Sequence, residues 1–151
     1  MLGELTAAQI EQLLKTEVVG RIGCHSDGRT YVVPITYVYE DGAVYGHSAV
    51  GQKIRMMRSN PRVCFEVDHM DDLANWRSVI AYGGYQELAG GRAEAAMKLL
   101  MSRLAPLMVS ESATPTHGFG PGQGQLVSPE KQTAVLFRLV LDEKSGRYEK
   151  R

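Results

Sequence analysis

The stretch that decides the fold is Thr30-Tyr31-Val32-Val33-Pro34-Ile35-Thr36-Tyr37-Val38-Tyr39, then Asp41-Gly42, then Ala43-Val44-Tyr45-Gly46-His47-Ser48. The first run is rich in β-branched and aromatic residues, which fit a pleated, half-buried surface. Asp-Gly supplies the two positive-φ positions of a tight hairpin turn, so 43–48 returns as a strand. Upstream, 18–24 reads as another strand, closed by the turn signal Ser26-Asp27-Gly28. Residues 18–48 are therefore predicted to form a three-stranded antiparallel meander. Pro34 cannot donate to a ladder, so it marks an edge or a place where pairing stops. Two readings of that edge stay open: protection against aggregation, or backbone groups left available to a ligand.

Working outward, Thr6 and Gln9 form a capping box for a helix over 6–15, with Leu5 and Ile10 placed as a hydrophobic staple. A short helix over 51–59 is stopped by Asn60-Pro61. Strands are predicted over 63–67 and 78–88, separated by a polar loop that holds Trp76. Gly83-Gly84 points to a bulge or a close backbone approach. A helix over 91–104 places Ala93, Ala96, Met97, Leu100 and Leu104 on one face. Residues 109–130, including Gly118-Phe119-Gly120-Pro121-Gly122, have no period. They read either as a surface loop or as a lid over a substrate pocket. A last strand covers 134–141, and the charged residues from Asp142 onward read as a surface tail. The expected fold is mainly β: one domain over 1–151, a six-stranded antiparallel barrel with peripheral helices.

The 151 residues are enough to bury a core without a disulfide or metal. An apolar share of 44% and a charged share of 23% exclude a disordered chain. Seventeen basic residues balance seventeen acidic ones, which excludes a broad electrostatic grip on nucleic acid. No apolar window is long enough for a membrane span, and the first residues lack the pattern of a secretory signal. Cys24 and Cys64 lie in apolar runs and read as reduced, buried thiols of a cytoplasmic protein. His25, His47, His69 and His117 lack metal-ligand spacing, so no metal site is expected.

The chemistry-bearing segment is His47-Ser48-Ala49-Val50-Gly51-Gln52-Lys53. A hydroxyl, a glycine, a lysine and the amides of a helix start are the equipment for a phosphate. A plain strand–helix turn, with Ser48 as cap and Lys53 solvated, remains the alternative.

Taken in order, Val33-Pro34-Ile35-Thr36-Tyr37, Asp41-Gly42 through His47-Ser48, Gly51-Gln52-Lys53, Asn60-Pro61-Arg62-Val63 and Trp76-Arg77-Ser78-Val79 resemble the FMN-binding split barrels. More narrowly, they are similar to pyridoxamine 5′-phosphate oxidase-related flavoproteins of the nitroimidazole-resistance type. The resemblance covers about residues 6–147. It implies FMN in a groove between the two subunits of a homodimer. It places the Val33, Pro34, Ile35, Thr36 and Tyr37 backbone beside the flavin ring, and His47 and Ser48 near the ribityl phosphate. Lys53 matches a phosphate-binding lysine, while Gln52 stands where the family has an arginine. Trp76, Arg77, Ser78 and Val79 match a segment that reaches the flavin from the partner subunit. The chain lacks the Arg- and Trp-bearing terminal segment of true pyridoxamine phosphate oxidases. The implied activity is therefore electron transfer from a reduced donor, such as a nicotinamide cofactor, to a small acceptor. His47 is the candidate proton donor, or else a hydrogen-bonding side chain only. A non-catalytic flavin carrier or sensor, and a barrel holding haem or a deazaflavin, are the alternatives.

Overall fold

The computed structural model describes residues 1–107 and 134–151; the glycine-rich stretch, with His117 and Phe119, lies outside them. The elements run β1 (Leu2–Glu4), α1 (Ala7–Thr16), β2 (Val19–Ser26), β3 (Arg29–Thr36), β4 (Val38–Glu40), β5 (Ala43–Ser48), α2 (Gln52–Ser59), β6 (Arg62–Asp72), β7 (Asn75–Leu88), α3 (Gly91–Leu104) and β8 (Val135–Glu149). The sheet order is β3-β2-β6-β7-β8-β5-β4, with β1 added beside β8. Every pairing is antiparallel.

Local chemistry builds the hairpins as predicted. Asp27-Gly28 and Asp41-Gly42 have φ of 52°, 75°, 50° and 77°, the double positive φ of a two-residue turn. At the start of α1 the Thr6 hydroxyl accepts from Gln9 N, and the Gln9 side chain accepts from Thr6 N. Register shifts between Tyr82 and Gly83, where a Cβ would strike the Val140 carbonyl. Bulge and close approach thus coincide at that glycine.

Four expectations change. The six strands become eight: β1 is added, and the run over 30–39 divides at Tyr37 into β3 and β4. The predicted meander is two separate hairpins, because β3 and β4 sit at opposite ends of the sheet. Tyr37 makes the crossing. It is fully buried, and its hydroxyl donates to the Leu14 carbonyl at 2.7 Å. The predicted loop over 68–77 is instead a ribbon, in which the Asp72 carboxylate accepts from Ala74 N and Asn75 Nδ2 across a two-residue turn. The tail from Asp142 is likewise strand, paired to β7 and, at its end, to β1.

The core fills the barrel. Ile22, Phe65, Val67, Val79, Phe137 and Leu139 are fully buried from the sheet. Leu13 and Leu14 of α1 join this core, as do Ile54 and Met57 of α2. A second cluster lies outside the barrel, where Ala96, Leu100 and Leu104 of α3 cover Val38 and Leu136.

Candidate functional site

Among the described residues β3 pairs only with β2, so Pro34 is on an edge strand as its chemistry requires. Tyr37 N donates to Val18 O at 3.0 Å, and antiparallel pairs alternate from there. Ile35 and Val33 therefore direct their backbone groups toward β2, while Thr36, Pro34 and Val32 direct theirs to the open edge. That edge offers the amides of Val32 and Thr36 and the carbonyls of Val32, Pro34 and Thr36. Proline removes an amide that had no ladder partner to lose. The side chains divide too: Ile35 and Tyr37 are buried, Pro34 and Thr36 are exposed. Tyr37 stacks edge-on against Phe65 at 5.0 Å, so its ring belongs to the core.

At the β5–α2 corner, Ser48 is buried and its hydroxyl donates to Ala49 O at 2.8 Å. The serine cap of the alternative reading is absent. Gly51 is the N-cap of α2, with no side-chain hydrogen bond. His47 and Ser48 point to opposite faces of β5, as neighbours on a strand must. His47 is opposite Leu136, on the face that carries Tyr45 under α3. Lys53, in the first turn of α2, is half-buried. Burial holds its ammonium below the usual lysine range, and the nearby Cys24 thiol only partly opposes this. Burial in turn pushes the Cys24 thiol up. No carboxylate among the described residues pairs with Lys53. Arg55, on the same helix, is exposed.

Cys24 is the neighbour that sequence reasoning missed. It is opposite Tyr31 on β3, and its thiol donates to Tyr31 O at 3.7 Å. Only the long-range packing of α2 on β2 brings it to Lys53. Cys64 departs from expectation in another way: it is half-exposed on the outer face of β6.

The segment Trp76-Arg77-Ser78-Val79 begins β7 at the far end of the barrel. Trp76 is opposite Glu149, whereas Ser48 is opposite Val135, at the other end of β8. The two places are fourteen residues apart along β8. Trp76 and Arg77 line a cavity of about 440 Å³ together with Gln9, Asp71 and Tyr148. Val79 is fully buried in the core. His25 contacts the Thr30 hydroxyl, and His69 lies between Glu17 and Asp71. No cluster of three metal-ligating side chains occurs among the described residues, and no helix there is long and apolar enough to cross a membrane.

This architecture recurs in known proteins. A solved structure of an FAD-binding protein from Mesorhizobium loti is 30% identical, with 98% of each chain covered and a TM-score of 0.77. A structure from Bacteroides thetaiotaomicron, named for 5-nitroimidazole antibiotic resistance, shares the fold at 18% identity and TM-score 0.69, covering 98% of this chain and 87% of that one. An uncharacterized protein of Rhizobium meliloti (strain 1021) is 41% identical over 70 residues, 46% of each chain, so the match spans about half the length of that relative. A family model described as pyridoxamine 5′-phosphate oxidase matches residues 6–148. With nearly the whole chain matched, this protein belongs to the pyridoxamine 5′-phosphate oxidase family of split barrels.

Proposed function

We propose that this chain is a flavoprotein that binds FMN between the two subunits of a homodimer and passes electrons from a reduced donor, such as NAD(P)H, to a small acceptor. The observation that carries the proposal is the pairing of two features along β3. Lys53 is a half-buried cation without a carboxylate partner among the described residues, beside the Cys24–Tyr31 rung. Three rungs along, about 10 Å at ~3.3 Å per rung, the open edge around Pro34 presents alternating carbonyls and amides. A phosphate suits the first, and a flat imide ring with its own donor and acceptors suits the second. FMN carries both, joined by a ribityl chain.

When bound, the flavin supplies the redox chemistry, and the protein binds and orients it. Lys53 neutralises the phosphate, with the amides at the start of α2 assisting. The Val33–Tyr37 strand fixes the ring through backbone groups. Trp76, Arg77 and Ser78 reach the groove from the partner subunit, while Val79, fully buried in its own core, does not. His47 is decided by His47→Ala. Lost turnover with flavin retained assigns it proton donation; unchanged turnover assigns it to packing.

The primary test is the visible spectrum of the purified protein, followed by identification of the cofactor released on heating. Released FMN supports the proposal. Released FAD, as in the name of the Mesorhizobium loti relative, moves Lys53 onto a pyrophosphate. A protein that is colourless and takes up no added flavin overturns it. Reduction by NADH or NADPH with repeated turnover separates an enzyme from a carrier.

A further inference from the structure

The β2–β6 ladder covers Arg21–Gly23 against Cys64–Glu66 and goes no further. Past Glu66, among the described residues, β6 has no strand on that side, and the β6–β7 ribbon is paired onward only through β7 and β8. Side chains fasten the unpaired side. On the outer face Arg21 Nη1 reaches Asp68 Oδ2 at 3.3 Å. On the opposite face His69 Nδ1 lies 3.3 Å from Glu17 Oε2, and His69 Nε2 lies 3.1 Å from Asp71 Oδ1. Glu17 is the C-cap of α1. Asp71 is left without a cross-strand partner by the bulge between Met70 and Asp72, and a bulge re-aims a side chain in this way. The geometry fixes the charge of the ring. A neutral imidazole donates from one nitrogen only, so its other lone pair would face a carboxylate; an imidazolium donates to both.

We infer that His69 is a positioning residue, a cationic clasp that pins the β6–β7 ribbon to the end of α1 and so sets Trp76 against its cavity, and that loss of the ring proton opens the clasp. Trp76 is opposite Met70 in the ribbon, and Asp71 lines the same cavity of about 440 Å³ with Trp76, Arg77 and Gln9. The proton on His69 therefore decides whether Asp71 is held or released beside Trp76. The charges around the ring come from three directions. Glu17 faces it from the end of α1, and Asp71 from β6 itself. Arg77, directly opposite on β7, is the cation that opposes the proton, and Tyr148 of β8 is next along that rung. Arg103 of α3 donates to Thr16 O at 3.2 Å, beside Glu17. The Asp71 hydrogen bond first, and then Glu17, hold the imidazolium above the usual histidine range. The sign follows: a raised histidine holds the clasp closed below its ordinary value of 6.5 and releases it as pH rises through the folded value. The consequence for flavin rests on the function proposed above, in which Trp76, Arg77 and Ser78 reach the flavin held by the partner subunit.

The chain has one tryptophan, so its emission reports Trp76 alone. The test is acrylamide quenching of that emission from pH 5 to pH 9. Wild type should become more quenchable in a single step above pH 6.5. His69→Gln, which carries no charge, should be as quenchable at pH 5 as wild type is at pH 9. His69→Lys, charged throughout, should keep the wild-type pH 5 value at every pH. The open-to-closed ratio should change by about 1.5- to 5-fold, the range of an exposed ion pair. A wild type without the step, or a step that survives in His69→Gln, overturns the clasp. Riboflavin, which has no phosphate for Lys53, tests the consequence on the flavin-free protein. Its dissociation constant should rise by about 1.5- to 5-fold between pH 6 and pH 9 in wild type and stay level in His69→Lys. Equal binding by wild type at both pH values, with the quenching step present, overturns the link from clasp to flavin. Riboflavin and FMN that bind at neither pH overturn the flavin reading and leave the clasp standing.

Discussion

Each mouth of the barrel is closed by a helix and holds a lysine, and the two lysines are in opposite circumstances. At the α1 mouth, Lys144 Nζ donates to Glu11 Oε2 at 3.0 Å and to the Tyr39 hydroxyl at 3.2 Å, and Tyr39 also donates to Glu11. Burial alone would lower the Lys144 ammonium, but these partners outweigh it and hold it above the usual range. At the α2 mouth, Lys53 is more deeply placed, has no carboxylate partner among the described residues, and is held below the usual range. The first arrangement is complete in itself and ties α1 to β4 and β8. The second, on the function proposed above, is completed by the phosphate of a bound flavin. Burial or residue type alone does not separate a structural lysine from a binding one; the partner does.

The largest expected effect breaks the comparison at the α2 mouth. Lys53→Ala should weaken FMN binding by about 1.5–3 kcal/mol, the range for a charge-assisted hydrogen bond. Titration of the apoprotein with FMN, followed by fluorescence quenching, measures it. The apoprotein itself should unfold no more easily than wild type, because folding disfavours the charged form of Lys53. The sign is consistent: a lysine depressed by burial destabilises the fold most when protonated, and that cost fades as pH rises through its folded value. Equal FMN affinity in the variant would remove Lys53 from the site.

Tyr37→Phe tests the other mouth and the strand edge at once. It deletes a buried hydroxyl and leaves the Leu14 carbonyl without its donor, at a cost of about 1–3 kcal/mol in urea unfolding. The Phe65 stacking is retained. On the proposed binding mode flavin affinity should not change, because that mode uses the backbone of the edge and the Tyr37 ring faces the core. A fall in affinity without a fall in stability would show that the hydroxyl, not the ladder, is what matters at this position.

Both mouths were partly legible in the sequence. The capping box at Thr6 and Gln9, the two Asp-Gly turns and the Gly83 bulge are local chemistry, and each is where its residues place it. Lys53 stood out because a strand end, a glycine and a helix start precede it. What stayed hidden is non-local. The break at Tyr37 leaves the chain extended, so propensity continues through it while the strand changes edge. β5 pairs with β8 across some ninety residues, and no turn signal announces such a pairing. The ribbon over 68–77 has polar side chains on both faces, so the alternation that marks a strand is absent. Cys24 beside Lys53 and Glu11 beside Lys144 arise from helix docking, which no spacing encodes.

The smallest effect sharpens the comparison most, because it asks whether the paired lysine is purely structural. Lys144→Met should cost only about 0.2–1 kcal/mol, since the pair is part-exposed and solvent screens it, and FMN affinity should stay at the wild-type value. Its pH signature is specific. Burial raises the Glu11 carboxyl, but the Lys144 and Tyr39 hydrogen bonds outweigh it and hold it below the usual range. A depressed carboxylate stabilises the fold above its unfolded value and loses that contribution as pH falls through its folded one. Lys144, raised, contributes below its unfolded value and loses that contribution as pH rises through its folded one. The wild-type advantage over Lys144→Met should therefore be widest around neutral pH and shrink toward both extremes. A constant gap across pH 3 to 11 would assign the loss to the packing of the lysine stem instead of its charge.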